Sequence, residues 1–83
     1  MTSGRVIVCD DEMLIRLWLA EHLGELGYTV EQVADGTALL AAFTREPADL
    51  VLLDLRLPDG TGIDFLGRLK AVDPLLPVII MSA

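Results

Sequence analysis

Acidic residues follow two short apolar segments of this sequence at the point where each segment ends. Residues 10–12 are Asp, Asp and Glu and come directly after Val6–Cys9, while Asp54 comes directly after Leu50–Leu53. Short apolar runs of this kind are typical of buried strands. Because the carboxyl ends of neighbouring parallel strands open into one crevice, we expect these carboxylates to lie close together.

Carboxylates that share a crevice repel one another. At a separation of about 4 Å and an effective dielectric constant of about 20, the repulsion amounts to about 4 kcal/mol for each pair. A hard divalent cation relieves this repulsion by binding carboxylate oxygens, and Mg²⁺ is the ion we expect in a cytoplasmic protein. The sequence therefore predicts a magnesium site at the strand ends. The alternatives are a solvated carboxylate for Asp54 and, compatible with metal binding, a cap on the first helix for Asp11.

The composition narrows the class of protein. Its 83 residues suffice for one small domain, and a hydrophobic content of 53% excludes a disordered tail. No apolar stretch reaches the roughly 18 residues of a membrane helix, and residues 1–5 lack a signal-peptide layout, so we expect a soluble, cytoplasmic protein. The net charge of −7 argues against direct binding of nucleic acid. The one cysteine, Cys9, lies in an apolar segment, which predicts a buried, unreactive thiol.

Strand-like and helix-like segments alternate along the sequence. This alternation predicts an α/β fold with a parallel sheet and helices on both of its faces. The first strand is apolar on both faces and is expected to be central, whereas the second alternates in character and is expected at an edge. The predicted strands are Arg5–Cys9, Tyr28–Val33, Asp49–Leu53 and Val78–Met81.

The helical spacing of apolar residues marks three helices between these strands. Gly27 is expected to end the first helix, and Asp35 is expected to cap the start of the second. Asp59 lies in a loop of turn-forming residues before the third helix and is expected to be a solvated charge. The inward-facing positions that the spacing predicts are Ile15, Trp18, Leu19, Leu23 and Leu26 in the first helix, Leu39, Leu40 and Phe43 in the second, and Ile63, Leu66 and Leu69 in the third.

The fourth strand, Val78–Met81, is apolar on both faces, as is typical of an interior strand. Only Ser82 and Ala83 follow it, so we expect the sheet to need a neighbour that these 83 residues do not provide. An edge strand without charges invites pairing with another chain. One hypothesis is therefore a structural or oligomerisation fragment that forms a homodimer through this strand or through uncovered helix faces.

Three motifs occur in an order that resembles the receiver domain of bacterial two-component response regulators. They are the Asp-Asp-Glu run at 10–12, the Asp-Leu-Arg-Leu-Pro-Asp-Gly-x-Gly run at 54–62 and the Pro-Val-Ile-Ile-Met-Ser-Ala run at 77–83. The resemblance covers residues 1–83, which correspond to the N-terminal two-thirds or so of the family's domain. It implies a three-layer, flavodoxin-like fold, present as a partial (βα)₃β core with strand order 2-1-3-4 and without the last helix-strand-helix.

The resemblance also implies a role for each residue of the crevice. Asp54 would be the phosphoacceptor, and the hydroxyl of Ser82 would donate a hydrogen bond to the phosphoryl group. Asp11, Asp54 and the backbone carbonyl of Arg56 would bind Mg²⁺ directly, with Asp10 supporting the ion, often through water. These roles describe a phosphorylation switch and not an enzyme.

A sensor histidine kinase is the partner that the resemblance implies, and the parent protein is expected to be a cytoplasmic transcription regulator. The family carries a lysine and a switch aromatic on a fifth strand, which lie beyond this sequence, and Lys70 in the third helix is too remote to replace the lysine. A Mg²⁺-dependent phosphatase with an aspartate nucleophile is a further alternative. Such an enzyme would carry a second acid two residues after the nucleophile, where this sequence has Arg56.

Overall fold

The computed structural model describes residues 4–82, so residues 1–3 and Ala83, the last residue of the third motif, lie outside the described part. Among residues 4–82, no helix is long and apolar enough to cross a membrane. The elements in chain order are β1 (Arg5–Cys9), α1 (Met13–Glu25), β2 (Thr29–Val33), α2 (Gly36–Arg45), β3 (Leu50–Asp54), β4 (Arg56–Leu57), β5 (Gly60–Thr61), α3 (Gly62–Val72) and β6 (Val78–Met81).

Four parallel strands form the main sheet in the order β2-β1-β3-β6. Because β6 is the predicted fourth strand, the predicted order 2-1-3-4 and the edge position of β2 are confirmed. Strand β1 is buried along its whole length, since it lies between two strands and is covered on both faces. The short strands β4 and β5 pair antiparallel in a small separate hairpin, where the sequence predicted only a loop.

Helices cover both faces of the sheet, which confirms the three-layer arrangement. Helices α2 and α3 pack over one face, and α1 packs over the other. Cys9 is buried as predicted, and burial together with nearby carboxylates raises the pKa of its thiol to about 12. The thiol is therefore protonated and unreactive at neutral pH.

Helix α1 is less buried than its apolar spacing predicts. None of its residues is buried, and only the predicted inward residues Leu19 and Leu23 pack against the sheet. Ile15 and Leu26 are exposed, so their predicted inward placement is wrong; Trp18, expected in the core or at an interface, is exposed as well. The reason is that α1 lies over β1 and β2, which leaves its remaining apolar flank without a neighbour among residues 4–82.

Helix α2 begins and packs as the sequence predicts. The side chain of Asp35 caps it by accepting a hydrogen bond from the backbone N–H of Ala38 at 2.7 Å. Leu39 and Phe43 are buried, and Leu40 packs partly buried against the same core cluster. The chain enters the strand before α2 after a turn at Gly27, whose φ of 96° is readily adopted only by glycine.

Helix α3 buries Leu69, as predicted, but its buried stripe includes Phe65 in place of Ile63. Its N-cap is Thr61, and its buried positions are Gly62, Phe65 and Leu69, which are spaced by three and four residues. Ile63 lies off this stripe and is 57% exposed, so its predicted inward placement is wrong. Leu66 packs partly buried against the core, as predicted.

Arg5 is a buried cation at the opposite end of β1 from the acidic residues. Its guanidinium donates hydrogen bonds to the carboxylate of Glu31 at 2.7 Å and to the backbone carbonyls of Ala42 and Glu46 at 3.1 Å each. These carbonyls lie at the C-terminal end of α2, where the helix dipole favours a positive charge. Glu31 also forms an ion pair with Arg45, so Arg5 ties the last turn of α2 to the edge of the sheet.

Candidate metal and phosphoacceptor site

Three carboxylates converge at the carboxyl ends of β1 and β3. One ligand oxygen from each of Asp10, Asp11 and Asp54 lies within 4.8 Å of the other two. The parallel register explains the meeting, because Cys9 pairs with Leu53 and the next residue of each strand is therefore an aspartate at the same edge. The predicted convergence of acidic side chains from separate strands is confirmed.

Asp10 is the most buried of the three carboxylates, with 6% of its surface exposed. Its Oδ1 accepts a hydrogen bond from the backbone N–H of Glu12 at 2.8 Å, and its backbone carbonyl accepts one from the guanidinium of Arg16 at 2.7 Å. Burial raises the pKa of the Asp10 carboxyl, and the charges of Asp54 and Asp11 raise it further against the hydrogen bond from Glu12. The carboxylate form of Asp10 is therefore held at a cost in free energy.

This donor set suits a hard divalent cation. All three groups are carboxylates, which Mg²⁺ prefers, and opposite ligands of one Mg²⁺ ion lie about 4 Å apart. The 4.8 Å limit on the spacing of the Asp10, Asp11 and Asp54 oxygens is close to this separation. A dication would also remove the repulsion that raises the Asp10 pKa, so the residues present fit the predicted ion.

Arg56 and Ser82 lie beside the carboxylates. Both line a pocket of about 400 Å³ that also contains Asp11, Glu12 and Asp54. The backbone N–H of Arg56 donates a weak hydrogen bond to Asp54 Oδ1 at 3.3 Å. Ser82 directly follows β6 and is exposed. The structure thus brings every predicted site residue to one end of the sheet, while the role of each stays a prediction.

Helix α1 begins at this site without a side-chain cap from Asp11. Glu12 occupies the N-cap position, and its side chain makes no capping hydrogen bond. The alternative role of Asp11 as a helix cap is therefore wrong in this structure. Arg16, which the sequence analysis did not assign to the site, reaches it from the first turn of the helix and donates to the backbone carbonyl of Asp10. No local pattern in the sequence indicates this contact.

The loop after Asp54 is held more firmly than its turn-forming composition suggests. The backbone N–H of Leu55 donates to the carbonyl of Met81 at 2.9 Å, and the N–H of Gly62 donates to the carbonyl of Leu55 at 2.7 Å. Asp59 is exposed, as predicted for a solvated charge, and in addition it accepts hydrogen bonds from the start of α2. No sequence signal indicates these bonds, because the partners lie more than 20 residues apart.

An apolar groove of about 570 Å³ adjoins the carboxylates on the uncovered flank of α1. One end of the groove is polar and is formed by Asp10, Glu12, Asp54 and Ser82. The apolar residues along the groove are Leu14, Ile15, Trp18, Leu19 and Met81. Exposed apolar surface of this kind marks a contact surface.

Comparison with known proteins gives one consistent family. The family profile "Response regulator receiver domain" matches residues 6–83. The chain is 40% identical to the Sporulation initiation phosphotransferase F of Bacillus subtilis (strain 168) over 83 residues, which are all of this chain and 67% of that protein. It is 37% identical to the DNA-binding transcriptional regulator NtrC of Bradyrhizobium sp. (strain RP501 Parasponia), of which it covers only 17%.

A solved structure agrees with these relatives. The Chemotaxis response regulator CheY4 of Vibrio cholerae superimposes with a TM-score of 0.91 at 28% sequence identity, over 95% of this chain and 68% of that chain. The predicted flavodoxin-like fold of the chemotaxis-regulator type is confirmed.

Proposed function

This chain belongs to the response regulator receiver domain family of two-component systems, and on that premise we propose that its Asp54 accepts a phosphoryl group from a sensor histidine kinase. Receiver domains are signalling domains that bind Mg²⁺ at an acidic pocket and interact with histidine kinases. For this chain, the observation that carries the proposal is the convergence of the Asp10, Asp11 and Asp54 oxygens to within 4.8 Å.

The transfer is a displacement at phosphorus. A carboxylate oxygen of Asp54 attacks the phosphorus of a phosphohistidine, the P–N bond breaks as the new P–O bond forms, and the departing imidazole takes up a proton. Asp54 suits this role because it ends β3 at the mouth of the pocket and is only partly buried. Asp10 is nine-tenths buried, so it is less open to a donor arriving from a partner protein.

Asp11, Asp54 and the backbone carbonyl of Arg56 would hold Mg²⁺, with Asp10 supporting the ion. When bound, the ion supplies charge neutralisation and orients the phosphoryl oxygens. The hydroxyl of Ser82 would donate a hydrogen bond to a phosphoryl oxygen, since Ser82 lines the same pocket as Asp54. Because β6 pairs with β3 in register at Asp54 and Met81, the position of Ser82 is tied to that of the acceptor.

The same proposal extends to the parent protein. The chain spans 17% of the NtrC relative, which is named as a DNA-binding transcriptional regulator. We propose a cytoplasmic transcription regulator as the parent, with the kinase as its partner and with DNA contacts made outside this acidic segment. We propose that the chain itself is a switch and not an enzyme.

Intact-mass measurement tests the proposal. The chain is incubated with acetyl phosphate in Mg²⁺ and, separately, in a chelator; a gain of one phosphoryl group that requires Mg²⁺ is expected. Asp54→Asn should abolish the gain, while Asp64→Asn, which removes an exposed carboxylate from α3, should leave it intact. Equal labelling of the parent and the Asp54 variant would exclude Asp54 as the acceptor.

A second candidate function is self-association through β6. This strand is an edge of the described sheet, and Ile79 on it is 53% exposed. An apolar edge without a charged side chain favours pairing with a second copy, which makes a homodimer the specific alternative. Sedimentation velocity over a range of concentrations decides: a sedimentation coefficient independent of concentration and equal to that of a monomer excludes it.

A further inference from the structure

Asp59 ties the loop after the acceptor to the start of α2. Its Oδ1 accepts a hydrogen bond from the backbone N–H of Gly36 at 2.9 Å. Its Oδ2 accepts two more at 2.8 Å each, from the backbone N–H and the hydroxyl of Thr37. These donors belong to the first turn of α2, whose N–H groups have no partners within the helix. One carboxylate thus holds together two segments more than 20 residues apart in sequence.

The packing beneath Asp59 shows that the two segments fit closely. An added Cβ on Gly36 would lie 2.0 Å from the ring of Phe65, and one on Gly60 would lie 3.0 Å from the same ring. Phe65 is buried in α3, so its ring lies directly between the start of α2 and the tip of the loop. The loop therefore cannot approach α2 more closely, and the hydrogen bonds of Asp59 prevent it from moving away.

The same loop carries the backbone carbonyl of Arg56, which is a predicted ligand of Mg²⁺. Residues 55–60 run from the end of β3 to β5, with Arg56 near one end and Asp59 near the other. The end near the acceptor is fixed by the hydrogen bonds of Leu55 to Met81 and of Gly62 to Leu55. The pairing of β4 with β5 closes the rest of the loop into a hairpin, and Asp59 fastens the tip of that hairpin to α2. A backbone carbonyl can be a precise ligand only if its loop is held at both ends.

We propose that Asp59 is a positioning residue that fixes loop 55–60 against α2 and thereby sets the affinity of the acidic pocket for Mg²⁺. This inference rests on the proposed function, since it assumes that the Arg56 carbonyl binds the ion. The hydrogen bonds from Gly36 and Thr37 lower the pKa of the Asp59 carboxyl, which favours its charged form. Its charge also suits the positive end of the dipole of α2.

A purely structural role as a cap on α2 would give a different result. Loss of a cap lowers the free energy of unfolding but leaves the affinity of a folded metal site unchanged. Loss of a positioning residue lowers the metal affinity of a chain that remains folded. Residues that orient metal ligands typically contribute about tenfold to this affinity. The two roles are therefore separated by measuring Mg²⁺ affinity and unfolding on the same variants.

Three variants of the whole chain make the test. Asp59→Ala removes all three hydrogen bonds, Asp59→Asn keeps one acceptor oxygen, and Thr37→Val removes only the hydroxyl donor. The matched control is Asp73→Asn at the far end of α3, which removes the same charge. Mg²⁺ binding is measured by calorimetry, and phosphoryl uptake from acetyl phosphate is measured against Mg²⁺ concentration.

The expected result is a graded loss of Mg²⁺ affinity. Asp59→Ala should weaken binding about tenfold, Asp59→Asn less, and Thr37→Val least, with the Asp73 control equal to the parent. Labelling of Asp59→Ala should be slow at low Mg²⁺ and should approach the parent rate when Mg²⁺ is saturating. Amide hydrogen exchange should quicken in loop 55–60 as well as at Gly36 and Thr37.

Three results would contradict the inference in distinguishable ways. If the parent binds Mg²⁺ and Asp59→Ala binds it equally well while unfolding more easily, Asp59 is a helix cap only, and the proposed function stands. If the parent binds no Mg²⁺, the proposed function fails and the inference fails with it. Unchanged hydrogen exchange in loop 55–60 of Asp59→Ala would also overturn the inference, because the loop would then be fixed without this residue.

Discussion

Neutralising Asp10 should stabilise the metal-free protein and reduce its response to Mg²⁺. The proposed change is Asp10→Asn, which removes one charge from the acidic pocket and keeps the shape of the side chain. The amide oxygen can still accept the hydrogen bond that Asp10 Oδ1 receives from the N–H of Glu12 at 2.8 Å. The variant therefore differs from the parent mainly in charge.

The size of the effect follows from the distances in the pocket. Two unit charges 4.8 Å apart, the upper limit of the spacing between the carboxylate oxygens, repel by about 3.5 kcal/mol at an effective dielectric constant of about 20, and by about 1 kcal/mol in bulk water. Asp11 is exposed and Asp54 is partly buried, so the relevant value lies between these limits. In a chelator, we expect Asp10→Asn to raise the free energy of unfolding by about 1–3 kcal/mol.

Urea unfolding in chelator and in Mg²⁺ provides the assay. The parent should gain about 2.7 kcal/mol when Mg²⁺ is present at a hundred times its dissociation constant. Asp10→Asn should gain much less. The difference in the free energy of unfolding between the two proteins should therefore shrink or change sign when Mg²⁺ is added. Asp73→Asn is the matched control, because Asp73 also accepts a hydrogen bond from the N–H two residues ahead, at 3.1 Å.

A specific result would refute the reasoning. If Asp10→Asn is no more stable than the parent in chelator, the three carboxylates do not repel one another enough to matter. If the parent's unfolding is also unaffected by Mg²⁺, the pocket is not a cation site. A gain in Asp73→Asn equal to that in Asp10→Asn would attribute the effect to the net charge of −7 and not to the pocket.

Three further predictions concern packing, the buried cation and pH. Gly62→Ala should lower the free energy of unfolding in urea by about 1–3 kcal/mol and weaken Mg²⁺ binding, because its Cβ would lie 2.5 Å from the carbonyl oxygen of Asp54. Gly67→Ala is the control in the same helix. Because nothing lies within 4 Å of its Cβ, it should instead raise the free energy of unfolding by about 0.5–1 kcal/mol. Arg5→Met should cost about 2–3 kcal/mol in the same measurement, since it removes the hydrogen bonds that the guanidinium donates to the Glu31 carboxylate and to the carbonyls of Ala42 and Glu46. The pKa of Asp59 is lowered in the folded state. Its stabilising contribution should therefore be present above the ordinary carboxyl pKa and be lost as the pH falls through the folded pKa. The difference in the free energy of unfolding between the parent and Asp59→Asn should accordingly shrink below about pH 4.

The strand ends were predictable because their signals are local. An apolar run that stops at a carboxylate identifies both a strand and its carboxyl end, and alternation with helices makes neighbouring strands parallel. Parallel strands in register then place Asp10 and Asp54 at one edge without further information. The convergence of the acidic residues and the order of the sheet could therefore both be anticipated from the sequence.

The remaining features depend on neighbours that a local pattern does not specify. The apolar spacing of α1 predicts a buried face, but Trp18 remains 59% exposed because α1 lies mainly over β1 and β2. The start of α3 at the Thr61 cap selects Phe65 over Ile63 as the buried position. The hydrogen bonds of Asp59 depend on how α2 and the acceptor loop meet, which is settled only by tertiary packing.

The repulsion between the carboxylates of the acidic pocket is large compared with the free energy of unfolding of so small a domain. At about 0.05–0.15 kcal/mol for each residue, the 83 residues give a free energy of unfolding of about 4–12 kcal/mol. Repulsion of about 1–3.5 kcal/mol for each carboxylate pair is a substantial fraction of this total. Any ligand that neutralises the pocket must therefore change the folded population measurably, so occupancy and stability are coupled. A variant that relieves the repulsion gains stability and loses that coupling, since the ion then has less charge to neutralise.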